Sequence, residues 1–293
     1  MKPIALLILT NLGVMAVLAL ILKIFGIDHM LAQNGVNHTG FLLFACIYGF
    51  AGSFISLMMS KSLAKTQMNV QIITQPSNAT ERWLVETITQ QAQRSGITPP
   101  EVGIFNHPAP NAFATGANKN NALIAVSTGL LTLMDKNEVE AVLGHEMAHV
   151  TNGDMVTSAL IQGTINAFVL VFARIISLIL SRNNNNRGHN GSFFLIYMLM
   201  QTVLGFLGSL VVLWHSRQRE YKADAGGAYH AGKANMIAAL QKLQHHSEQS
   251  QHSALSKEFQ AFGIVALAGL LATHPPIAKR IASLQALPNN PNP

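Results

Sequence analysis

Residues 138–151 read EVEAVLGHEMAHVT and contain the pattern HExxH, formed by His145, Glu146 and His149. Residues four apart lie on one face of an α-helix, so the two imidazoles can bind a single metal ion. Glu146 follows the first histidine directly and can act as general base toward water at such a site. The alternative is a pair of solvated histidines on an amphipathic helix, but the uncharged residues around the motif favour a buried helix.

A catalytic zinc ion usually takes three protein ligands, so the motif predicts a third ligand elsewhere in the chain. Residues 214–227 read WHSRQREYKADAGG and offer Glu220 and Asp224, which stand four apart on a predicted helix. Glu220 would complete a set of two histidines and one glutamate, and Asp224 could accept a hydrogen bond from a ligating imidazole. His215 and His230 are competing candidates for the third ligand.

The composition indicates a membrane protein with a water-facing part. Of the 293 residues 49% are hydrophobic and only 11% are charged, and the mean hydropathy is +0.29. An ordinary soluble domain carries roughly 25% charged residues. Residues 1–60 hold three charged side chains and residues 157–216 hold three more. Two charge-poor blocks therefore alternate with two more polar ones.

Four segments are candidates to cross a membrane, at 4–22, 41–59, 158–180 and 193–215. Each approaches or exceeds the roughly 20 residues that a helix needs to cross about 30 Å of hydrocarbon. The first is longer than the apolar core of a cleaved signal peptide, so we expect a retained anchor. The third contains Arg174 and two polar amides, and a buried helical hairpin is the alternative for the last two segments.

These segments divide the chain into a membrane anchor at 1–60, a first catalytic part at 61–157, a hydrophobic hairpin at 158–215 and a second catalytic part at 216–293. Four crossings place both catalytic parts on one side. Their flanks are richer in lysine and arginine than the intervening loops, which predicts that this side is the cytoplasm. The net charge of +6 forms no dense patch, which favours the lipid bilayer over nucleic acid as a partner.

The expected fold class is mostly α with a small β-sheet, in an integral membrane protein with a zincin-like cytoplasmic catalytic domain. Short strands are expected near 70–73, 101–105 and 123–127. A helix is expected at 79–95, and another from near 137 that continues past the membrane-proximal boundary. Three further helices are expected after the fourth apolar segment, around 220–231, 235–244 and 277–287.

The order of motifs resembles one known family. HEMAHVTNGD at 145–154 is followed by EYKAD at 220–224, with NAFATG at 111–116 and THPP at 273–276. Together with the apolar segments, this set resembles the HtpX family of bacterial membrane zinc proteases, which is related to the CaaX prenyl-protein endopeptidases. The resemblance extends over nearly the whole chain.

The resemblance implies that one Zn²⁺ per chain is bound by His145, His149 and Glu220. It makes Glu146 the general base, and Asp224 would orient a histidine ligand. Asp154, in the turn after the motif, is open between supporting a ligand and ending a helix.

Substrate contacts are also implied by the resemblance. The stretch Asn111, Ala112, Phe113 and Ala114 would form an edge strand that holds the substrate backbone, since an extended peptide can add to an open sheet edge. A plain strand and turn is the alternative for this stretch. His274 would be a catalytic donor near the scissile carbonyl, or alternatively a residue that caps a turn.

The implied activity is a zinc metalloendopeptidase that cleaves membrane or misfolded proteins at the cytoplasmic side of the bacterial inner membrane. The resemblance adds membrane-protein quality control under stress, alongside the ATP-dependent membrane protease. The chain has no GxxxxGK[ST] phosphate loop, so unfolding of substrates with its own ATP is not expected. A prenyl-peptide processing enzyme, a non-catalytic zinc scaffold and a transporter are the competing hypotheses.

Overall fold

The computed structural model describes residues 3–24, 26–33, 35, 37–182, 189–254 and 274–288. The expected class, mostly α with a small sheet, is confirmed. The first part of the chain consists of α1 (Pro3–Ile24), α2 (Ile27–Gln33), α3 (His38–Gln67), β1 (Gln71–Ile72), α4 (Ala79–Arg94), β2 (Glu101–Phe105), β3 (Ala112–Asn118) and β4 (Asn121–Ser127). The remainder consists of α5 (Thr128–Leu133), α6 (Lys136–Asn152), α7 (Asp154–Arg182), α8 (His189–Ala231), α9 (Lys233–Ala254) and α10 (Ile277–Ala286).

Three helices in the described part of the chain are long and apolar enough to cross a membrane. They are Thr39–Gln67, Asp154–Leu180 and Phe193–Ala231, and they contain the second, third and fourth segments expected from the sequence. The apolar stretch Leu9–Ile24 of α1 is shorter, so a first crossing stays a prediction. Large apolar side chains are exposed on these helices, for example Ile47 and Leu195. Such exposure is suited to contact with lipid rather than water.

The chain folds into two units, each formed by two separate stretches of sequence. Residues 1–57 and 156–212 form a membrane unit, and residues 58–155 and 213–293 form a second one, which we call the catalytic unit. In the membrane unit, α1, α3 and α7 bury one apolar cluster that includes Leu18, Cys46 and Val171. The polar side chain of Asn166 in α7 is satisfied there, because its amide donates to the Gly49 carbonyl at 3.3 Å.

The sheet of the catalytic unit has the strand order β1-β2-β4-β3. β2 and β4 run parallel, whereas β1 and β3 are antiparallel to their neighbours. β4 is buried along almost its whole length, which is why its sequence ALIAV is continuously apolar. α4 and α6 pack against this sheet through Leu84, Ile88, Leu143 and Met147. β3 is therefore an edge strand among the described strands.

Two helix boundaries differ from those expected. Helix α6 does not continue past 157 but ends at Asn152, because Gly153 adopts a left-handed conformation with φ of 68° and caps it. A new helix, α7, begins at Asp154. Conversely, the fourth apolar segment and the expected helix at 220–231 are one continuous helix, α8, with no turn residue between them.

Candidate metal centre

Helix α6 presents the HExxH motif because its other faces are held in the core. Asp135 caps the helix and forms a reciprocal capping box with Glu138. Leu143, Met147 and Val150 are fully buried in the main core cluster. The motif residues occupy the remaining face, on which His145 is buried and both Glu146 and His149 are partly exposed.

Helix α8 approaches α6 closely enough to bring a third ligand to the motif. A Cβ atom on Gly226 would lie 2.3 Å from the Cβ of Ala148, and one on Gly227 would lie 2.8 Å from the Ala141 carbonyl oxygen. Only glycine permits this approach of two backbones. Glu220 lies on the same helix, about two turns before these glycines, and its side chain is buried.

The side chains of His145, His149 and Glu220 converge on one point. The two Nε2 atoms are 3.3 Å apart, His145 Nε2 is 3.6 Å from one Glu220 carboxylate oxygen and His149 Nε2 is 3.5 Å from the other. A tetrahedral metal with bonds of about 2.0–2.1 Å needs ligand atoms about 3.3–3.4 Å apart. The three residues fit a metal site, and they are the one such group found among the described residues. His215 and His230 are not part of it.

Carboxylates orient both imidazoles. His145 Nδ1 lies 3.0 Å from Asp224 Oδ1, and His149 Nδ1 lies 2.6 Å from Asp154 Oδ2. Each Nδ1–H can therefore donate to a carboxylate while Nε2 keeps its lone pair for a metal. Burial lowers the pKa of His149, but hydrogen bonds to Asp154 and Glu220 outweigh it and raise the pKa to about 10. In the metal-free protein at neutral pH this imidazole is a cation.

Arg280 completes the arrangement and was not among the residues expected from the sequence. Its Nε donates to Asp224 Oδ2 at 2.8 Å and its Nη2 donates to Asp224 Oδ1 at 2.6 Å, in a buried pair. Its Nη1 lies 3.5 Å from Glu220. The local sequence IAKRIASL carries no signal for this role, because Arg280 meets its partners only through the packing of α10.

Glu146 lines a cavity of about 140 Å³ beside the three convergent side chains. Its carboxylate has no hydrogen-bond or ion-pair partner within the described part of the chain. The cavity wall also has an apolar side, formed by Val142, Met236 and Leu240 among others. A carboxylate free of partners next to an apolar wall can accept a proton from a reacting group.

His274 also lines this cavity, and its Nδ1 lies 2.7 Å from Glu220 Oε2. Its side chain is 63% exposed. With Nδ1–H donating to the carboxylate, Nε2 is the ring atom left for another partner. The THPP segment begins at Thr273, which lies outside the described residues.

The NAFATG stretch forms the edge strand β3, and Asn111 and Ala112 line the cavity. The Ser127 amide donates to the Asn111 carbonyl oxygen at 2.8 Å. Because hydrogen-bonded pairs alternate along an antiparallel ladder, the N–H and C=O groups of Ala112 and Ala114 point away from β4. Phe113 contacts Phe105 with ring centroids 5.6 Å apart.

The chain is similar to known proteins in both sequence and fold. A model described as peptidase family M48 matches residues 78–287. "Protease HtpX" of Thioalkalivibrio sulfidiphilus is 49% identical over 98% of this chain and 99% of that protein. "Protease HtpX homolog" of Thiobacillus denitrificans is 50% identical over 98% of this chain and all of that protein. The crystal structure of S. mikatae Ste24p is similar with a TM-score of 0.61 and 16% identity, covering 96% of this chain and 67% of that one, which shows the shared fold.

Proposed function

Since the chain belongs to peptidase family M48, we propose that it is a zinc-dependent endopeptidase of the cytoplasmic membrane with His145, His149 and Glu220 as metal ligands. The observation that carries the choice of zinc is the 3.3 Å separation of the two Nε2 atoms. This distance matches the edge of a zinc tetrahedron, and two nitrogens with one carboxylate are a ligand set that zinc accepts. Three protein ligands leave one position open, as in catalytic rather than structural zinc sites.

A bound zinc ion would acidify water and polarise a peptide carbonyl. The protein side chains supply the remaining chemistry. Glu146 takes the proton from the attacking water and delivers it to the amide nitrogen that leaves. Asp224 and Asp154 hold the two imidazoles in the tautomer that presents Nε2, and Arg280 fixes Asp224 in place.

His274 is positioned to stabilise the negative charge that develops on the carbonyl oxygen. The hydrogen bond between Nδ1 and the Glu220 carboxylate, at 2.7 Å, holds the ring beside the cavity. The catalytic role of His274 is thus electrostatic and distinct from the proton transfer by Glu146.

We expect the substrate to bind as an additional strand beside β3. The outward N–H and C=O groups of Ala112 and Ala114 provide two backbone pairing positions, and Asn111 lies at the end of the strand that borders the cavity. Backbone pairing of this kind tolerates many sequences. The apolar wall that includes Met236 and Leu240 would accept an apolar side chain next to the scissile bond.

The membrane helices and the flanking charges suggest where the enzyme acts. Lys61 and Lys65 follow one apolar segment, and Arg217, Arg219 and Lys222 follow another, which favours a cytoplasmic catalytic unit. An extended peptide must be unfolded locally before it can pair with β3. Loops of membrane proteins and misfolded chains meet this requirement, so we propose a role in membrane-protein quality control under stress, beside the ATP-dependent membrane protease.

The test compares wild-type protein with E146Q, purified in detergent, for zinc content and cleavage of casein. E140Q is the matched control, because Glu140 lies on the same helix and the variant loses the same charge. We expect all three proteins to hold one zinc each, with activity lost only in E146Q. If wild-type protein binds zinc without cutting any unfolded substrate, the scaffold hypothesis replaces the enzymatic one.

A further inference from the structure

A second cavity, of about 540 Å³, lies in the catalytic unit and shares no residue with the cavity at the metal centre. We call it the α4–α8 cavity, because its wall is formed by the end of α4, the end of α6 and the last turns of α8. Its polar residues come from all three helices and from Ser95, the C-cap of α4; they are Arg94, Ser95, Thr151, Asn152, Lys222, Tyr229 and His230.

The charge of this wall is entirely positive. Arg94 and Lys222 line the cavity, and none of its lining residues is acidic. Among the described carboxylates, none forms an ion pair with either side chain. Arg94 is held in place, because its Nη1 donates to the His230 carbonyl oxygen at 3.1 Å. Two cations that face one cavity without a compensating carboxylate attract an anion.

Neutral polar groups surround the two cations. Asn152 offers a side-chain amide at the cavity wall, whereas the Ser95 and Thr151 hydroxyls already donate to the Gln91 and Ala148 carbonyl oxygens at 2.9 and 3.1 Å. His230 is buried, with Nε2 3.3 Å from Ser95 Oγ, and its buried Nδ1 has no hydrogen-bond partner in the part of the chain that the structure describes. Native proteins rarely leave a buried polar atom without a partner. Because the Ser95 hydroxyl donates to the Gln91 carbonyl, His230 Nε2 donates to Ser95 and the unpartnered Nδ1 is an acceptor, so Arg94, Lys222 and Asn152 are the groups that can meet an anion.

We propose that the α4–α8 cavity binds a phosphate group. A phosphate presents several acceptor oxygens that can meet Arg94, Lys222 and the Asn152 amide at once, which a single carboxylate cannot do as fully. The group has two possible sources, the headgroup of an anionic phospholipid and a soluble phosphate ester. A bound phosphate would connect α4 and α8 to the end of α6, close to His149, and would thereby stabilise the helix that carries the HExxH motif.

The test uses the zinc-loaded, full-length protein in detergent. Calorimetric titration with inorganic phosphate and with glycerol 3-phosphate measures the soluble source. Native mass spectrometry after reconstitution in equal amounts of phosphatidylcholine and phosphatidylglycerol counts the anionic lipid that stays bound. The test variant is R94Q/K222Q, and the matched control is R82Q/K119Q, which removes the same two charges from exposed positions outside the cavity.

We expect wild-type protein and the control to bind at least one of the probes. R94Q/K222Q should bind that probe at least about tenfold more weakly, since two charge-assisted hydrogen bonds are lost. Binding of the soluble probes identifies a phosphate ester, and retention of phosphatidylglycerol alone identifies a lipid headgroup. Absence of binding to every probe, or equal loss in test and control variants, overturns the proposal. If R94Q/K222Q does not fold, the binding measurements are made with K222Q, which preserves the hydrogen bond from Arg94 to the His230 carbonyl, and the same outcomes support or overturn the proposal.

Discussion

Arg280 binds the Asp224 carboxylate through two nitrogens, and the same carboxylate oxygen that accepts from Nη2 at 2.6 Å also lies 3.0 Å from His145 Nδ1. Through Asp224, Arg280 on α10 thereby orients the metal ligand His145 on α6, a helix much earlier in the sequence. All three side chains are buried, so water cannot replace a missing member. The metal centre depends on α10 as much as on the HExxH motif.

This relationship predicts the effect of replacing Arg280. R280M removes the cation that pairs with the buried Asp224 carboxylate, and breaking a buried ion pair in this way costs about 3–5 kcal/mol of folding free energy. R280K restores a charge but not the two-pronged geometry. We expect zinc affinity to fall about 10–100-fold in R280K, as for other groups that orient ligands, measured by competition with a chelator. K279M, the neighbouring exposed lysine, is the control, and equal affinities in R280K and wild type would contradict the role.

The pKa of His149 predicts that zinc binding releases protons. In the metal-free protein this pKa is raised to about 10, so the imidazole is protonated throughout the neutral range. Zinc needs the neutral ring, so we expect release of about one proton from His149 per zinc at a pH of about 7.5. Calorimetry in buffers with different ionisation enthalpies measures the number directly. D154N removes the main hydrogen-bond partner that raises this pKa, so it should reduce the number of protons released per zinc. Binding enthalpies that do not depend on the buffer would contradict this expectation.

The orientation of β3 predicts how proline affects substrate binding. A114P removes an N–H that points outward, and proline is tolerated at such a position of an edge strand. We therefore expect A114P to fold and to bind zinc. Its kcat/KM on peptide substrates should fall roughly tenfold or more, because a backbone hydrogen bond to the substrate is lost and the proline ring occupies space at the strand edge. A114G keeps the N–H and serves as the control. Unchanged kcat/KM in A114P would show that substrates do not pair with this edge.

The position of His274 predicts a defect in the chemical step. Because its side chain is largely exposed and contacts Glu220 at the cavity, H274A should fold normally. Loss of one donor to a developing oxyanion typically lowers kcat by about 10²–10³. We expect kcat to fall while KM changes little, in steady-state kinetics with a fluorogenic peptide and saturating zinc. H245A is the control, because His245 is exposed on α9. A rise in KM at constant kcat would assign His274 to substrate binding instead.

Much of the molecule was predictable because the relevant interactions are local. The HExxH spacing places two histidines on one face of any helix that contains it, and apolar runs of about twenty residues indicate membrane helices whatever they pack against. The strands at 101–105 and 123–127 were found because short, mostly apolar runs between turns are typical of buried strands. The end of α6 at Asn152 was one of two possibilities that the sequence left open, because Gly153 is a single residue in an otherwise helical pattern.

Only the tertiary structure decided which distant residues meet. From the sequence, Glu220, His215 and His230 were all possible third ligands. The close crossing of α6 and α8 at Gly226 brings Glu220, and neither of these two histidines, into the metal-binding group. The same holds for Arg280, whose role depends on the packing of α10, and for the division of Asp224 and Asp154 between the two imidazoles. Helical periodicity and hydropathy are patterns among residues that are close in sequence. A metal centre, in contrast, is defined by distances of 3.3 to 3.6 Å between side chains from separate helices. The sequence therefore determined the chemistry of the ligands, and the packing of the helices determined their assembly.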